Sequence, residues 1–222
     1  IDHILSYQLD GVIAAAPIPH EHLAHLAAAR VPLLFYNRPG EDGLASVSCD
    51  HHASGALIAR HILATGARRI ALIRSYAAAY VGNERMRGVE EELARAGATI
   101  VAEYHGDFDY GRGVAAVLEW AENGIDSYDA VIAANDIMAI GAKDALVHKL
   151  GKRVPEDVVI AGFDGIDASS WLSNNIPSVD QPIEHMAKAA VEMMARRIEN
   201  ENLPAERRLF PGRLKLADQS AR

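Results

Sequence analysis

The chain has 222 residues, of which half are hydrophobic and 23% are charged, a balance that is typical of a globular protein. Its formal net charge of −8 argues against a chain that grips the phosphate backbone of nucleic acids by itself. The single cysteine, Cys49, excludes an internal disulfide framework and indicates a reducing compartment, and no apolar run approaches the ~20 residues of a membrane-spanning helix.

Apolar strand candidates alternate with amphipathic helix candidates along the whole chain. The opening "IDHILSYQLDGVIAAAP" indicates the last turns of a helix that feeds a strand, so that the chain enters its fold partway. In chain order we predict the strand Gly11–Ala16, a helix near 20–30, the strand Leu33–Tyr36, a helix near 53–65, the strand Arg69–Ile73, a helix near 84–96, the strand Ala98–Tyr104, a helix near 111–122, the strand Ala130–Ala134, a helix near 136–150, the strand Val158–Phe163 and a helix over 183–199.

Two further signals support this pattern. Gly66, Gly97 and Gly151 stand where the C-termini of helices favour a residue with positive φ. Alternating strands and helices are typical of βαβ units, and wholly apolar strands are typical of sheets that are buried on both faces. We therefore predict an α/β fold with parallel sheets flanked by helices.

Hydrogen-bonding side chains follow nearly every predicted strand, and ligands of open parallel sheets bind beyond the carboxyl ends of the strands. These strand-end residues are Asn37-Arg38, Arg74, Asp107-Phe108, Asn135-Asp136 and Asp164-Gly165. Asn and Asp suit vicinal hydroxyl groups, Arg adds a planar fork of donors, and Phe108 offers a flat apolar face. The set predicts a cleft for a small polyhydroxylated or otherwise polar ligand.

Each of these residues also has a purely structural interpretation. Asn135 or Asp136 is a favoured cap for a helix that begins at Ile137. A simple turn would account for Asp164-Gly165, and a core position would account for Phe108. Arg85 and Arg87 flank a helix start, where a solvated surface charge is the ordinary interpretation of an arginine.

The common enzyme motifs are missing, since the sequence has no phosphate-binding loop, no dinucleotide-binding glycine pattern and no serine elbow. Cys49 precedes Asp50-His51-His52, but nothing supplies a third group to orient such a pair. We interpret His20-Glu21-His22-x-x-His25 as a solvated loop that enters a helix. We therefore expect no enzyme, no cofactor and no metal site.

Several longer segments have a familiar order from residue 10 almost to the end. They include "LDGVIAAAP", "VPLLFYNRP", "NERMRGVEEELARAG", "DAVIAANDIMAIGAKDAL", "GKRVPEDVVIAGFDG" and "PSVDQPIEHMAKAAVEMM". The chain resembles the effector-binding core of the lactose/galactose-repressor (LacI/GalR) family of transcription regulators. That resemblance implies a two-lobed type I periplasmic-binding-protein-like fold, with an N-terminal lobe (1–49 plus 182–205), incomplete at its N-terminus, and a C-terminal lobe (50–181 plus 206–222).

The resemblance also implies ligand contacts at the strand ends. The matching positions are Asn37, where many family members have Asp, and Arg85, Phe108, Asn135 and Asp164. Arg85, rather than Arg87, has the R-x-x-G spacing to Gly88, and Gln181 of "DQP" is a secondary candidate near a hinge strand. We expect Asn135 to reach towards the ligand and Asp136 to cap the helix that follows.

The function that the resemblance implies is a sensor domain of a cytoplasmic transcription regulator. A small effector, a sugar or related polar metabolite, would bridge the lobes of each subunit of a homodimer. Operator DNA would be read by an N-terminal helix-turn-helix domain. The resemblance implies that this domain is missing from the chain, and that the first strand and helix of the effector core are missing as well. We expect no membrane partner, and the competing function on the same fold is that of a periplasmic sugar-binding protein of an ABC transporter.

Overall fold

The computed structural model describes residues 9–40, 43–200 and 202–216, which form two compact units. The first unit runs to Asp50 and resumes over Pro182–Pro211, and the second contains His51–Gln181 and the chain from Gly212 onward. The predicted helix end at the start of the chain lies outside the described residues. No helix within the described ranges combines the length and the apolar character needed to cross a membrane.

Ten strands and seven helices are formed by the described residues. The strands are β1 (Val12–Ala14), β2 (Leu33–Tyr36), β3 (Ala45–Cys49), β4 (Arg69–Arg74), β5 (Thr99–His105), β6 (Ala130–Ala133), β7 (Val159–Asp164), β8 (Ser178–Asp180), β9 (Arg207–Phe210) and β10 (Arg213–Lys215). The helices are α1 (His20–Ala28), α2 (His51–Ala64), α3 (Tyr80–Arg95), α4 (Tyr110–Glu122), α5 (Asp136–His148), α6 (Asp167–Ser170) and α7 (Ile183–Glu199).

The first unit is built on a four-stranded parallel sheet in the order β1-β2-β3-β9. Side chains of β2 alternate between the two faces, as the pleat of a strand requires. Leu34 packs with Met186 of α7 on one face, whereas Leu33 and Phe35 pack with Leu26 of α1 on the other. A helix therefore covers each face of this sheet.

Helix α7 has the predicted bounds and buries one face against the sheet of the first unit. The buried positions are Met186, Ala189, Ala190, Met193 and Met194, which follow the i, i+3, i+4, i+7, i+8 spacing of a helical face. Ile183, Val191 and Ile198 are also apolar but are exposed. Apolar side chains of α7 are thus buried only on the face that packs against the sheet.

The second unit contains a six-stranded sheet in the order β10-β8-β7-β6-β4-β5. All neighbouring strands are parallel except the antiparallel pair β10–β8. Strand β6, the apolar run Ala130–Ala133, is wholly buried inside the main hydrophobic cluster. The predicted α/β class with parallel sheets and flanking helices is confirmed.

Glycines set the close approach of α2 and α3 in this unit. A β-carbon on Gly88 would lie 2.0 Å from the carbonyl oxygen of His52, and one on Gly55 would lie 2.0 Å from that of Arg85. Only glycine allows this reciprocal contact between the two helix backbones. The contact fixes the position of Arg85 relative to α2.

The predicted helix-end glycines are confirmed, whereas some strands and one lobe boundary differ from the prediction. Gly66, Gly97 and Gly151 have the predicted positive φ, at 95°, 67° and 66°. Strands β3 and β8 were not among the predicted strands. The assignment of 206–222 to the C-terminal lobe is wrong for β9, because Arg207–Phe210 pairs in parallel with β3 and belongs to the first unit. Of the two strands β9 and β10, only β10 pairs with the sheet of the second unit, through β8.

Candidate functional site

Arg85 is the buried centre of a polar cluster at the carboxyl ends of β6, β7 and β8. Its side chain is 2% exposed, so the interpretation of Arg85 as a solvated surface residue is wrong. Nη1 donates to the carbonyl oxygen of Ala134 at 2.8 Å, and Nη2 donates to Oδ1 of Asp164 at 2.6 Å. The guanidinium also lies over the ring of Phe163, 5.1 Å from its centroid. Arg85 thereby ties the ends of two neighbouring strands to α3.

Asp164 is fixed by two donors and remains partly accessible. Its Oδ1 also accepts from Nε2 of Gln181 at 2.9 Å, whereas no donor to Oδ2 is found among the described residues. The side chain is 31% exposed. Its φ of 107° is rare for a residue with a side chain, and Gly165 follows at 67°. The conformation of Asp164 costs about 1–3 kcal/mol and persists where the surroundings hold it, as Arg85 and Gln181 do here, whereas Gly165 carries no such cost.

Asn135, rather than Asp136, caps α5. Asn135 has an extended backbone (φ −151°) and is the N-cap of α5, because its Oδ1 accepts from the backbone N–H of Met138 at 3.0 Å. The prediction that Asp136 caps this helix is therefore wrong. Asp136 is the first helical residue, and its buried carboxylate accepts from the hydroxyl of Ser178 at 2.6 Å and from the N–H of Ile166 at 2.9 Å.

The cap leaves part of the Asn135 side chain available. Its amide Nδ2 donates no hydrogen bond to any residue in the described part of the chain. An N-cap uses the side-chain oxygen and leaves the amide nitrogen for a further acceptor. Capping and ligand contact are therefore compatible at Asn135.

Two buried titratable groups have shifted pKa values next to the Arg85–Asp164 pair. Burial raises the pKa of Asp136 to about 6, and the charge of Asp164 acts in the same direction, against the hydrogen bonds from Ser178, Ile166 and Ser169. Burial lowers the pKa of His51, the first residue of α2, to about 3, and the positive charge of Arg85 adds to this. His51 is therefore neutral near pH 7, and Asp136 is close to its titration range.

Phe108 is half-buried and lies at the end of β5 with a φ of 62°. Its ring packs partly against the hydrophobic core, and a β-carbon on Gly82 of α3 would lie 3.2 Å from its Cζ. The ring also meets Tyr76 edge to face, with centroids 5.8 Å apart and planes at 88°. Phe108 therefore contributes to the core while it remains partly exposed.

The structure brings Arg85, Asp164 and Gln181 into direct hydrogen bonding, with Asn135 adjacent to the Ala134 carbonyl that Arg85 contacts. Asn37 belongs to the first unit, where it follows β2 at φ 55° and donates its backbone N–H to the Val47 carbonyl at 2.7 Å.

Sequence reasoning missed the supporting roles of several residues: Ser178, His51, Tyr76 and the carboxylate of Asp136. Their sequence signals were weak, since a Ser in a three-residue strand and a His at a helix start are common in any α/β chain.

A sequence profile of the periplasmic binding protein-like domain matches residues 59–216. The chain belongs to this family. Its relatives include the HTH-type transcriptional regulator CelR of Thermobifida fusca, which is 33% identical over 211 residues, covering 90% of this chain and 60% of CelR.

Solved structures with this periplasmic-binding-protein-like fold agree. A CelR–cellobiose complex matches with a TM-score of 0.88 and 31% identity, over 97% of this chain and 67% of that one. A LacI transcriptional regulator from a Rhodococcus species matches with a TM-score of 0.85 and 26% identity, over 97% and 80%. The resemblance to the LacI/GalR family is confirmed, and the chain spans about 60% of the length of the curated relatives that it matches.

Proposed function

We propose that this chain is the effector-sensing domain of a cytoplasmic LacI/GalR-type transcription regulator, and that it binds a small sugar or related polar metabolite without catalysing a reaction. The observation that carries the proposal is the Arg85–Asp164–Gln181 cluster, with Asn135 beside it, at the carboxyl ends of parallel strands. The regulators among its relatives support the same function.

The chemistry of the cluster suits a neutral polyhydroxylated ligand. Arg85 donates from Nη1 and Nη2 to protein oxygens and so orients Asp164, whose Oδ2 is left as a charged acceptor for hydroxyl groups. Asn135 Nδ2 supplies a donor, and the exposed part of Phe108 supplies an apolar face for the C–H side of a sugar ring. Because the charge of Arg85 is already paired with Asp164, the cluster has no unbalanced cation for an anionic effector.

Regulation would follow from movement between the two units. Asn37 is the proposed contact from the first unit. An effector that binds one arrangement of the units better than another shifts the balance between them, and in a homodimer this would change the spacing of two operator-reading domains. Operator DNA would be contacted through an N-terminal domain, in keeping with the net charge of −8 on this chain. The relatives favour this function over that of a transporter's periplasmic sugar-binding protein.

Calorimetric titration with cellobiose and a panel of mono- and disaccharides tests the proposal. We expect at least one sugar to bind, and Asp164→Ala and Arg85→Ala to weaken its binding about tenfold or more, because each removes a hydrogen bond that involves a charged group. The matched control is Arg87→Ala, since Arg87 lies on the same helix but pairs with Glu84 at the surface. Wild-type affinity in both site variants would refute the site, and a panel in which nothing binds would refute the sugar class.

A further inference from the structure

We infer that Asp136 is a positioning residue of the candidate site, whose carboxylate clamps the turn Asp164–Ile166 and so holds the Asp164 carboxylate ready for the effector. The inference rests on the proposed function for its ligand part. The clamp itself can be measured without a ligand.

The two backbone amides that follow Asp164 are held by this carboxylate, one directly and one through the hydroxyl of Ser178. Oδ2 of Asp136 accepts from the N–H of Ile166 at 2.9 Å. Oδ1 accepts from the hydroxyl of Ser178 at 2.6 Å, and the Ser178 oxygen in turn accepts from the N–H of Gly165 at 2.9 Å. One buried side chain on α5 therefore fixes two successive peptide groups of a turn that lies 30 residues later in the chain.

The turn needs such a clamp because its backbone is strained. Asp164 has a φ of 107° although it carries a side chain, and a strained residue relaxes unless its neighbours hold it, whereas Gly165 accepts its φ of 67° without strain. Two glycines let the clamp close: a β-carbon on Gly162 would lie 2.4 Å from Oδ1 of Asp136, and one on Gly165 would lie 2.7 Å from Cα of Asp180. The turn is thus seated between α5 and β8 with little room for a second conformation.

Two sets of contacts therefore hold Asp164 from opposite ends. Arg85 and Gln181 bind its carboxylate, whereas Asp136 binds the backbone just after it. Loss of the backbone clamp would let the strained turn relax and would misdirect the carboxylate, even though Arg85 and Gln181 are still present.

Protonation of Asp136 provides a way to open the clamp. A proton on either oxygen of Asp136 turns that oxygen from an acceptor into a donor. The partners of these oxygens are the N–H of Ile166, which can only donate, and the hydroxyl of Ser178, which already accepts from Gly165. The groups that act on this carboxyl are the hydroxyls of Ser178 in β8 and Ser169 in α6, the N–H of Ile166, and the charge of Asp164 in β7. Since burial places the pKa of Asp136 at about 6, the clamp should weaken as the pH falls from 7.5 to 5.5.

The test compares Asp136→Asn with Asp129→Asn. Asp129 precedes β6, whose other end leads to Asp136, and its Oδ2 accepts from the N–H groups of Arg68 and Arg69 at 2.7 and 2.8 Å. The control therefore also removes a carboxylate that holds two backbone amides, but at the opposite edge of the sheet. Amide hydrogen exchange at Gly165 and Ile166 is measured at pH 7.5 and 5.5, corrected for the intrinsic pH dependence of exchange, together with calorimetric titration of cellobiose and the sugar panel.

We expect exchange at both amides to rise about tenfold or more in Asp136→Asn at pH 7.5, and sugar affinity to fall with it, since the loss of a hydrogen bond to a charged group changes an equilibrium by about this factor or more. Wild type should show the same rise at pH 5.5, and Asp129→Asn should behave as wild type at these amides. Ser178→Ala, which leaves the charge in place, should raise exchange at Gly165 and serves as the second variant if Asp136→Asn does not fold.

Unchanged exchange at Gly165 and Ile166 in these variants would overturn the clamp. Faster exchange with unchanged sugar affinity would overturn the positioning role. Faster exchange in a protein that binds no sugar of the panel would support the clamp and would count against the proposed function instead.

Discussion

Replacing Arg85 by lysine should show that the guanidinium group, rather than a buried positive charge alone, organises the second unit. Arg85 donates from two different nitrogens to two oxygens on different strands, Ala134 O and Asp164 Oδ1. Lysine has one compact ammonium group, and its donors radiate from a single atom, so the variant can satisfy only one of these oxygens well. The other oxygen loses its hydrogen bond to residue 85.

The expected cost follows from those contacts. A hydrogen bond that involves a charged group is worth about 1.5–3 kcal/mol, and the contact of Arg85 with the ring of Phe163 adds about 0.5–2 kcal/mol. With part of each contact retained by the ammonium group, we expect the free energy of unfolding of the second unit to fall by about 2–4 kcal/mol. Effector affinity should fall as well, because Asp164 loses its main orienting donor.

Urea denaturation followed by tryptophan fluorescence measures this cost. Both tryptophans, Trp120 and Trp171, lie in the second unit, so the signal reports that unit. Arg87→Lys is the matched control, since its ion pairs with Glu84 and Glu91 are exposed and should contribute less than about 1 kcal/mol. If Arg85→Lys shifts the urea midpoint no more than Arg87→Lys does, the reasoning about the two-oxygen bridge is refuted.

Three further variants test the surroundings of the site. His51 has a folded-state pKa of about 3 against about 6.5 in the unfolded chain, so its contribution to stability is complete above pH 6.5 and is lost as the pH falls towards 3. His51→Gln should therefore reduce the drop in urea midpoint between pH 7 and pH 5. A drop as large as that of the wild type, or larger, would contradict this. Gly88→Ala should lower Tm by several degrees, because its β-carbon would lie 2.0 Å from the His52 carbonyl oxygen and overpacking costs about 1–3 kcal/mol. An unchanged melting curve would show that α2 and α3 can separate without cost. Phe108→Leu should keep the core packing but weaken sugar binding about twofold to tenfold in calorimetry, since aromatic stacking is worth about 0.5–1.5 kcal/mol. Phe108→Tyr should bind sugar like wild type. Equal affinities in the two variants would assign the ring to the core alone.

Strands with a continuous apolar run are readily predicted from sequence patterns. Strand β6 is an example, since it is enclosed on both faces and consists only of apolar residues. Strand β3 was missed because it reads Ala-Ser-Val-Ser-Cys, and the two serines are buried in the sheet despite their hydroxyl groups. Strand β8 has only three residues, too few for any periodicity to show.

The site shows a similar division between local and tertiary information. The strand-end rule and the family resemblance selected Arg85, Asn135 and Asp164. Neither revealed that Arg85 is buried, because its depth depends on the helix contact at Gly55 and Gly88 rather than on its own neighbours in sequence. The identity of the cap, Asn135 rather than Asp136, was equally hidden, since both are good caps and only the backbone conformation decides which residue precedes the helix.

The balance of charge in the cluster limits what the site can bind. Near pH 7 the described cluster holds one cation, Arg85, and two carboxylates, Asp164 and Asp136, while His51 is neutral because burial holds its pKa near 3. One cation against two anions leaves a single negative charge in a partly desolvated site, which opposes an anionic effector and does not oppose a neutral sugar. That excess charge lies on Asp136, which pairs with no cation among the described residues and is stabilised by donors from the turn after Asp164. The same donors that keep Asp136 ionised therefore keep Asp164 in place, so that the charge state of one carboxylate and the orientation of the other are linked through a single set of hydrogen bonds.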